Sequence, residues 1–321
     1  MRQLMRGGRF GFFMFLLGMI CIYKVASAQQ SATDFFKIAV NSMKYSDYNN
    51  TIFFATKAIE LNPKFGAAYW NRAIAYDYKG DYHASINDYD SALKYYANSI
   101  DLTTLHKNRG MVYNDMREYD SAIIDFNKAL ALTPDYPLAY WNRGIAEDGI
   151  DRSDSAVKDY TRALEDFVSV NDICQLHLLR GLAYKKLKKN EKSNAEFKEI
   201  LKLDTAHDYH RAYAKYILET PDSARYTIRT AIVNAKGNAD AYMNAYFDAA
   251  RLFSVMNNKE KAIGCLEMSF DLGYKRFNNV DGRDFDNFRD DPEFVALVKK
   301  YKDMANKPSQ IIPLPKKPVD K

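Results

Sequence analysis

The residues best equipped for chemistry in this 321-residue chain are few and scattered. His207 and His210 stand three apart, a spacing that puts two imidazoles on one helix face and could begin a metal site. No further ligand stands at a metal spacing beside them, so a solvated helix start is the plainer reading. Asp281, Asp284 and Asp286 suggest a calcium loop, but the Asp-x-Asp-x-Asp-Gly order is missing and no Glu follows at the twelfth position. Cys174 and Cys265 are too few for a disulfide scaffold and read as buried or half-buried free thiols. There is no glycine-rich phosphate loop, no His-Glu-x-x-His and no Cys-x-x-Cys. Acids spread along polar faces single out neither a carboxylate pair nor a Ser/His/Asp set. An enzyme therefore has no residue to rest on, and neither cofactor nor metal is expected. Hidden chemistry would have to sit in 208–280.

A different chemistry recurs at fixed intervals. Ala68-Tyr69-Trp70-Asn71-Arg72-Ala73-Ile74-Ala75 and Ala139-Tyr140-Trp141-Asn142-Arg143-Gly144-Ile145-Ala146 nearly coincide, 71 residues apart. Lys107-Asn108-Arg109-Gly110 divides that distance into 37 and 34, and Leu179-Arg180-Gly181 follows another 37 on. A second block, Ser85–Leu93, Ala122–Leu130 and Ala156–Leu164, keeps the same intervals, and Ala55–Ile59 extends it upstream. Asn71, Asn108 and Asn142 recur in step, and an amide can both donate to and accept from a polypeptide backbone. Trp70 and Trp141 offer the apolar area that dominates interface energetics.

Such residues need helices to hold them in register. Small residues let two antiparallel helices approach closely, and aromatics fill the gap to the next pair. Ser46-Asp47-Tyr48, Gly80-Asp81-Tyr82 and Arg117-Glu118-Tyr119 mark turns between the two helices, as does Met256-Asn257-Asn258 further on. A hairpin of this kind cannot bury its apolar face alone, so stacking supplies the core.

The pattern resembles the tetratricopeptide repeat. Tyr69, Ala73, Tyr76, Tyr89 and Ala92 match one unit; Gly110, Tyr113, Ala122, Phe126, Ala129 and Pro134 the next; Tyr140, Gly144, Ala156, Tyr160 and Ala163 a third. The resemblance implies an all-α, right-handed α-solenoid of about seven helix hairpins with a C-terminal capping helix. The register is 32–65, 66–102, 103–136, 137–173, 174–207, a degenerate 208–238, 239–274 and a capping segment 275–304. Units 66–102 and 137–173 carry three extra residues, expected as a longer second helix or loop. Asp291 and Pro292 suit the start of the last helix.

By the same resemblance, the first helix of each pair lines a concave groove that holds a protein or peptide. The positions carried over are Trp70, Asn71, Ile74 and Asp77; Lys107, Asn108, Met111 and Asn114; and Trp141, Asn142, Ile145 and Asp148. The Trp residues could instead pack between units. Only Lys107 sits where chaperone-tail binders of the family hold a terminal carboxylate, so that specialised clamp is not expected. A scaffold that binds a protein partner is the leading reading. A glycan-binding helical repeat is the alternative, with Trp70 and Trp141 as its stacking rings.

The ends carry separate signals. Arg2, Arg6 and Arg9, an apolar stretch from Phe10 and Ala26-Ser27-Ala28 form the layout of a secretory signal peptide over 1–28. Its apolar core falls short of the ~20 residues of a spanning helix, and bulky Ile20 before Cys21 argues against a lipid anchor. An exported, periplasmic or extracellular protein is expected, with no integral span after cleavage; retention of the leader as an anchor is the other possibility. Without the leader the chain carries 42 bases against 41 acids, so no positive field remains to attract nucleic acid. Residues 305–321, rich in Pro and Lys, read as a disordered tail. Partner identity and oligomeric state have no signature.

Overall fold

The computed structural model describes residues 31–95, 99–167, 169–203 and 208–305. Among them are seven antiparallel helix pairs in chain order and no strand. They are α1 (Ala32–Lys44) with α2 (Tyr48–Leu61), α3 (Gly66–Lys79) with α4 (Tyr82–Tyr95), and α5 (Ser99–Asp115) with α6 (Tyr119–Leu132). Then come α7 (Pro137–Gly149) with α8 (Ser153–Leu164), and α9 (Val170–Lys186) with α10 (Asn190–Lys202). The last two pairs are α11 (Asp208–Leu218) with α12 (Pro221–Ala235) and α13 (Ala239–Val255) with α14 (Lys259–Asp271). A short α15 (Phe277–Val280), a 3₁₀ turn (Arg283–Phe288) and α16 (Pro292–Ala305) close the array. The expected leader and all but the first residue of the expected tail lie outside the described residues, as does His207.

Six of the seven hairpin turns use one device. Ser46, Gly80, Arg117, Asp151, Lys188 and Asn257 all adopt left-handed backbone, with φ between 54° and 75°. The amide after each returns to a carbonyl five residues back, as Asp81 N to Tyr76 O at 2.9 Å and Glu118 N to Tyr113 O at 2.8 Å. These bonds satisfy the otherwise orphaned carbonyls of the first helix. The α11–α12 turn departs from the scheme: the Thr220 hydroxyl caps α12 and Pro221 opens it.

Within each pair, a small residue of the first helix receives an aromatic ring of the second. A Cβ added to Gly110 would lie 2.7 Å from Phe126, and one added to Gly144 2.6 Å from Tyr160. Ala73 meets Tyr89 in the same core, and Phe197 packs against Gly181. Tyr89, Phe126, Tyr160 and Phe197 are fully enclosed, each burial stabilising by about 2–3 kcal/mol.

An arginine fastens each central unit to its predecessor. Arg72, Arg109 and Arg143 each bind an acid sixteen residues on in a two-pronged fashion: Asp88 at 2.7 and 2.8 Å, Asp125 at 2.6 and 2.7 Å, Asp159 at 2.7 and 2.8 Å. Arg180 meets Glu196 at 3.0 Å. The remaining prong of each arginine reaches back to the preceding second helix, at Thr56, Asp90, Asn127 and Thr161. His106 and His177 join the same acids in units three and five, where units two and four carry Tyr69 and Tyr140.

The three extra residues of units 66–102 and 137–173 do not lengthen a second helix. α4 and α8 have 14 and 12 residues, whereas the following first helices, α5 and α9, have 17 against 14 for α3. They add a turn to the N-terminus of the next first helix. The physical reason is that Ser99-Ile100-Asp101-Leu102 continues the helical pattern of α5, and Ser169 caps α9 with its side chain.

Candidate functional site

The first helices α3, α5 and α7 carry the twelve expected groove positions, and the structure puts them to unequal use. Trp70 packs with Tyr89, Leu105 and Val112 between units two and three. Trp141 packs with Tyr160 and Leu176 between units four and five and meets Phe167 edge-on at 5.4 Å. Both Trp rings are therefore structural spacers more than open platforms. Ile74 and Ile145 join the same clusters.

The asparagines do not form a free amide ladder. Asn142 turns its amide to Leu138 O of its own helix at 2.8 Å, and Asn108 accepts from Lys107. Asn114 donates to Asn142 O at 2.9 Å and so ties α5 to α7. The Asn71 oxygen is enclosed with no hydrogen-bond partner among the described residues. Met111 is the most open of the set, 36% exposed.

Three acids define the electrostatics. Asp77 and Asp148 occupy equivalent places 71 residues apart, yet they titrate in opposite directions. Burial pushes Asp77 up to about 7, against the pull of Lys107. Its Oδ1 is enclosed without a partner among the described residues. Burial raises Asp148 too, but the Ser153 hydroxyl and the charges of Lys186 and Arg283 outweigh it and hold its carboxyl below the ordinary range. Asp115 lies well above that range through burial and the charges of Asp77 and Asp281.

Arg283 and Asp281 belong to the C-terminal segment, which the sequence pattern marks only as a cap. That segment folds back over units one to four. Arg283 donates to Asp148 Oδ2 and to Ile145 O, both at 2.8 Å, and its guanidinium lies 5.7 Å from the Tyr119 ring. Tyr82 donates to Asp281 at 2.6 Å, Arg117 pairs with Asp286, and Asn49 donates to Ala305 O at 2.9 Å. Asp148 borders a cavity of about 570 Å³, lined by Arg117, Tyr119, Leu182, Lys186 and Arg283 among others. Two of the twelve expected groove positions, Ile145 and Asp148, are thus already occupied by this chain.

The residues weighed for metal chemistry have other work. Asp284 pairs with Arg251 at 2.5 Å, and Asp291 caps α16 through the amides of Glu293 and Phe294. His210 is not at a solvated helix start: it is buried and pairs with Gln175 at 2.7 Å, because α11 packs onto α9 at that point. Cys174 is buried, Cys265 half-buried, and both are free. No group of three or more His, Cys, Asp or Glu among the described residues could hold a metal ion. No described helix is long and apolar enough to cross a membrane.

Stacked hairpins with small-to-aromatic packing define a helical-repeat scaffold. The family comparison makes the class specific. The profile described as "TPR repeat" matches residues 110–146, and that described as "Tetratricopeptide repeat" matches 66–99 and 175–207. The chain thus carries tetratricopeptide repeats over 66–99, 110–146 and 175–207. It is 34% identical over 87 residues to tetratricopeptide repeat protein 6 of Homo sapiens; the match covers 27% of this chain and 16% of that protein's length. The crystal structure of a tetratricopeptide repeat protein from Parabacteroides merdae is similar in fold, with a TM-score of 0.54 and 19% identity, covering 81% of this chain and 99% of that one. MamA from Desulfovibrio magneticus superposes with a TM-score of 0.50 and 16% identity, over 56% of this chain and 97% of its own. A scaffold of this fold serves protein–protein interaction in general, and such scaffolds are generally not enzymes.

Proposed function

We propose that the protein is an exported scaffold that binds a protein or peptide partner through the concave face of α3, α5 and α7. The observation that carries the reading is that the end of α7, at Ile145 and Asp148, accepts an irregular polypeptide segment of the chain itself. Arg283 reaches a carboxylate and a main-chain carbonyl there at 2.8 Å each, which is peptide recognition in miniature. The leader-like residues 1–28 support export, to the periplasm or the cell exterior. Glycan binding is less well supported, because Trp70 and Trp141 are committed to packing between units.

The test is capture of partners from envelope extract by the full chain and by a Lys107→Ala/Met111→Ala variant. Both are among the proposed groove positions, and neither fills a core cluster. A recurrent protein retained by the wild type and lost by the variant is the expected result. Equal capture by both rejects the groove, and retention of polysaccharide alone would move the reading to glycan binding. Cell fractionation checks export independently.

A further inference from the structure

The segment Asp281–Arg289 has two unlike sides. Towards unit seven it is apolar and tightly held. Phe285 and Phe288 are buried in the C-terminal core with Phe247 and Phe294, and Asp284 is clasped by Arg251. Towards units two to four its contacts are polar: Asp281 to Tyr82, Arg283 to Asp148 and Ile145 O, Asp286 to Arg117. Phe277 and Val280, just upstream, are buried in the C-terminal core, and the short α15 that carries them also packs against α3.

The two sides differ in how readily they part. Separating the apolar side exposes rings to water. Separating the polar side exchanges hydrogen bonds for hydration, and the enclosed Asp148 keeps Lys186 and Ser153 as partners when Arg283 departs. The groove side is therefore the seam that opens, and the segment leaves with unit seven intact.

Arg283 shows what the groove recognises. Its guanidinium spans an almost fully enclosed carboxylate and a helix carbonyl and lies beside an aromatic ring, a site matched to a planar, many-donor cation. Resting on the groove reading above, we propose that Asp281–Arg289 is a tethered occupant of the groove, and that the partner displaces it by offering an arginine-bearing segment to Asp148 and Ile145 O.

The experiment uses the full chain and a fluorescent synthetic peptide of its own residues 279–291 as the probe. Binding is followed by anisotropy on the wild type, on Arg283→Ala/Asp286→Ala, and on that variant carrying Asp148→Ala as well. A tethered competitor acts at an effective concentration in the millimolar range, so vacating the groove should tighten peptide binding about tenfold or more. Adding Asp148→Ala should abolish the gain, and so should a peptide with Ala in place of its first arginine. Hydrogen exchange of residues 277–289 should quicken in Arg283→Ala/Asp286→Ala while helical circular dichroism is kept. Equal binding to wild type and vacated variant, or no binding to a vacated variant that is folded, overturns the proposal. If that happens while Lys107→Ala/Met111→Ala still loses the captured partner, the groove stands and the arginine assignment alone falls.

Discussion

Replacing Asp77 with Asn should stabilise the protein, and by an amount that grows with pH. Asp77 lies on α3 with Oδ1 enclosed and unpartnered among the described residues, and burial raises its carboxyl from 3.8 to about 7. A group whose folded pKa is raised in this way binds its proton more tightly when folded than when unfolded. Below about pH 4 both states are protonated and the substitution is close to neutral. Between about 4 and 7 only the unfolded chain ionises freely, so wild-type stability falls as pH rises through that window. Above 7 the whole penalty is present. Three pKa units correspond to about 4 kcal/mol at 1.36 each. Asp77 is only half-buried, and solvent screening reduces the expected gain at pH 8 to roughly 2 kcal/mol. The assay is urea unfolding of wild type and Asp77→Asn at pH 4, 6 and 8, with equal m-values as the check that both unfold alike. A variant no more stable than wild type at pH 8, or a difference that does not change with pH, refutes the electrostatic account.

The arginine pins predict the opposite sign. Asp125 is fully buried under Arg109 and His106; Asp125→Ala takes the acid from His106 and leaves Arg109 only Asp90, and a loss of about 3 kcal/mol is expected by urea unfolding. Because hydrogen bonds from Arg109 and His106 outweigh burial and lower its carboxyl, the stability it confers is present above the unfolded pKa and fades as pH falls through the folded one. Gly144→Ala would drive a methyl to 2.6 Å from the Tyr160 ring; a cost of about 1–3 kcal/mol is expected from overpacking, seen as a lowered Tm.

The array was legible in the sequence because its packing rule is local. Ala73 or Gly110 against Tyr89 or Phe126 recurs at a fixed interval, and any stretch long enough to hold one hairpin displays it. The arginine pins were legible too, since Asp88, Asp125 and Asp159 follow Arg72, Arg109 and Arg143 at a constant sixteen residues. That regularity passes unnoticed if one looks only for a binding site. The Trp residues could not be assigned from the sequence, because a ring that lines a groove and a ring that spaces two helices occupy the same helical position. The return of the C-terminal segment had no local signature at all. Arg283 and Asp148 lie 135 residues apart, and nothing periodic connects them. The acids of 281–286 drew attention for their spacing, whereas their use depends on Tyr82, Arg117 and Arg251, each brought up by a different helix.

That return has a consequence for how the molecule folds and breathes. A repeat array is ordinarily one-dimensional: each unit feels only its nearest neighbours, and the ends fray first. Here Asn49 of the first unit holds Ala305 across 256 residues, so the two ends stabilise each other. A contact across so long a separation carries a large loop-closure entropy. They should be the last to form and the first to let go, so that end-to-end contact, more than helix content, distinguishes a finished molecule from a merely helical one.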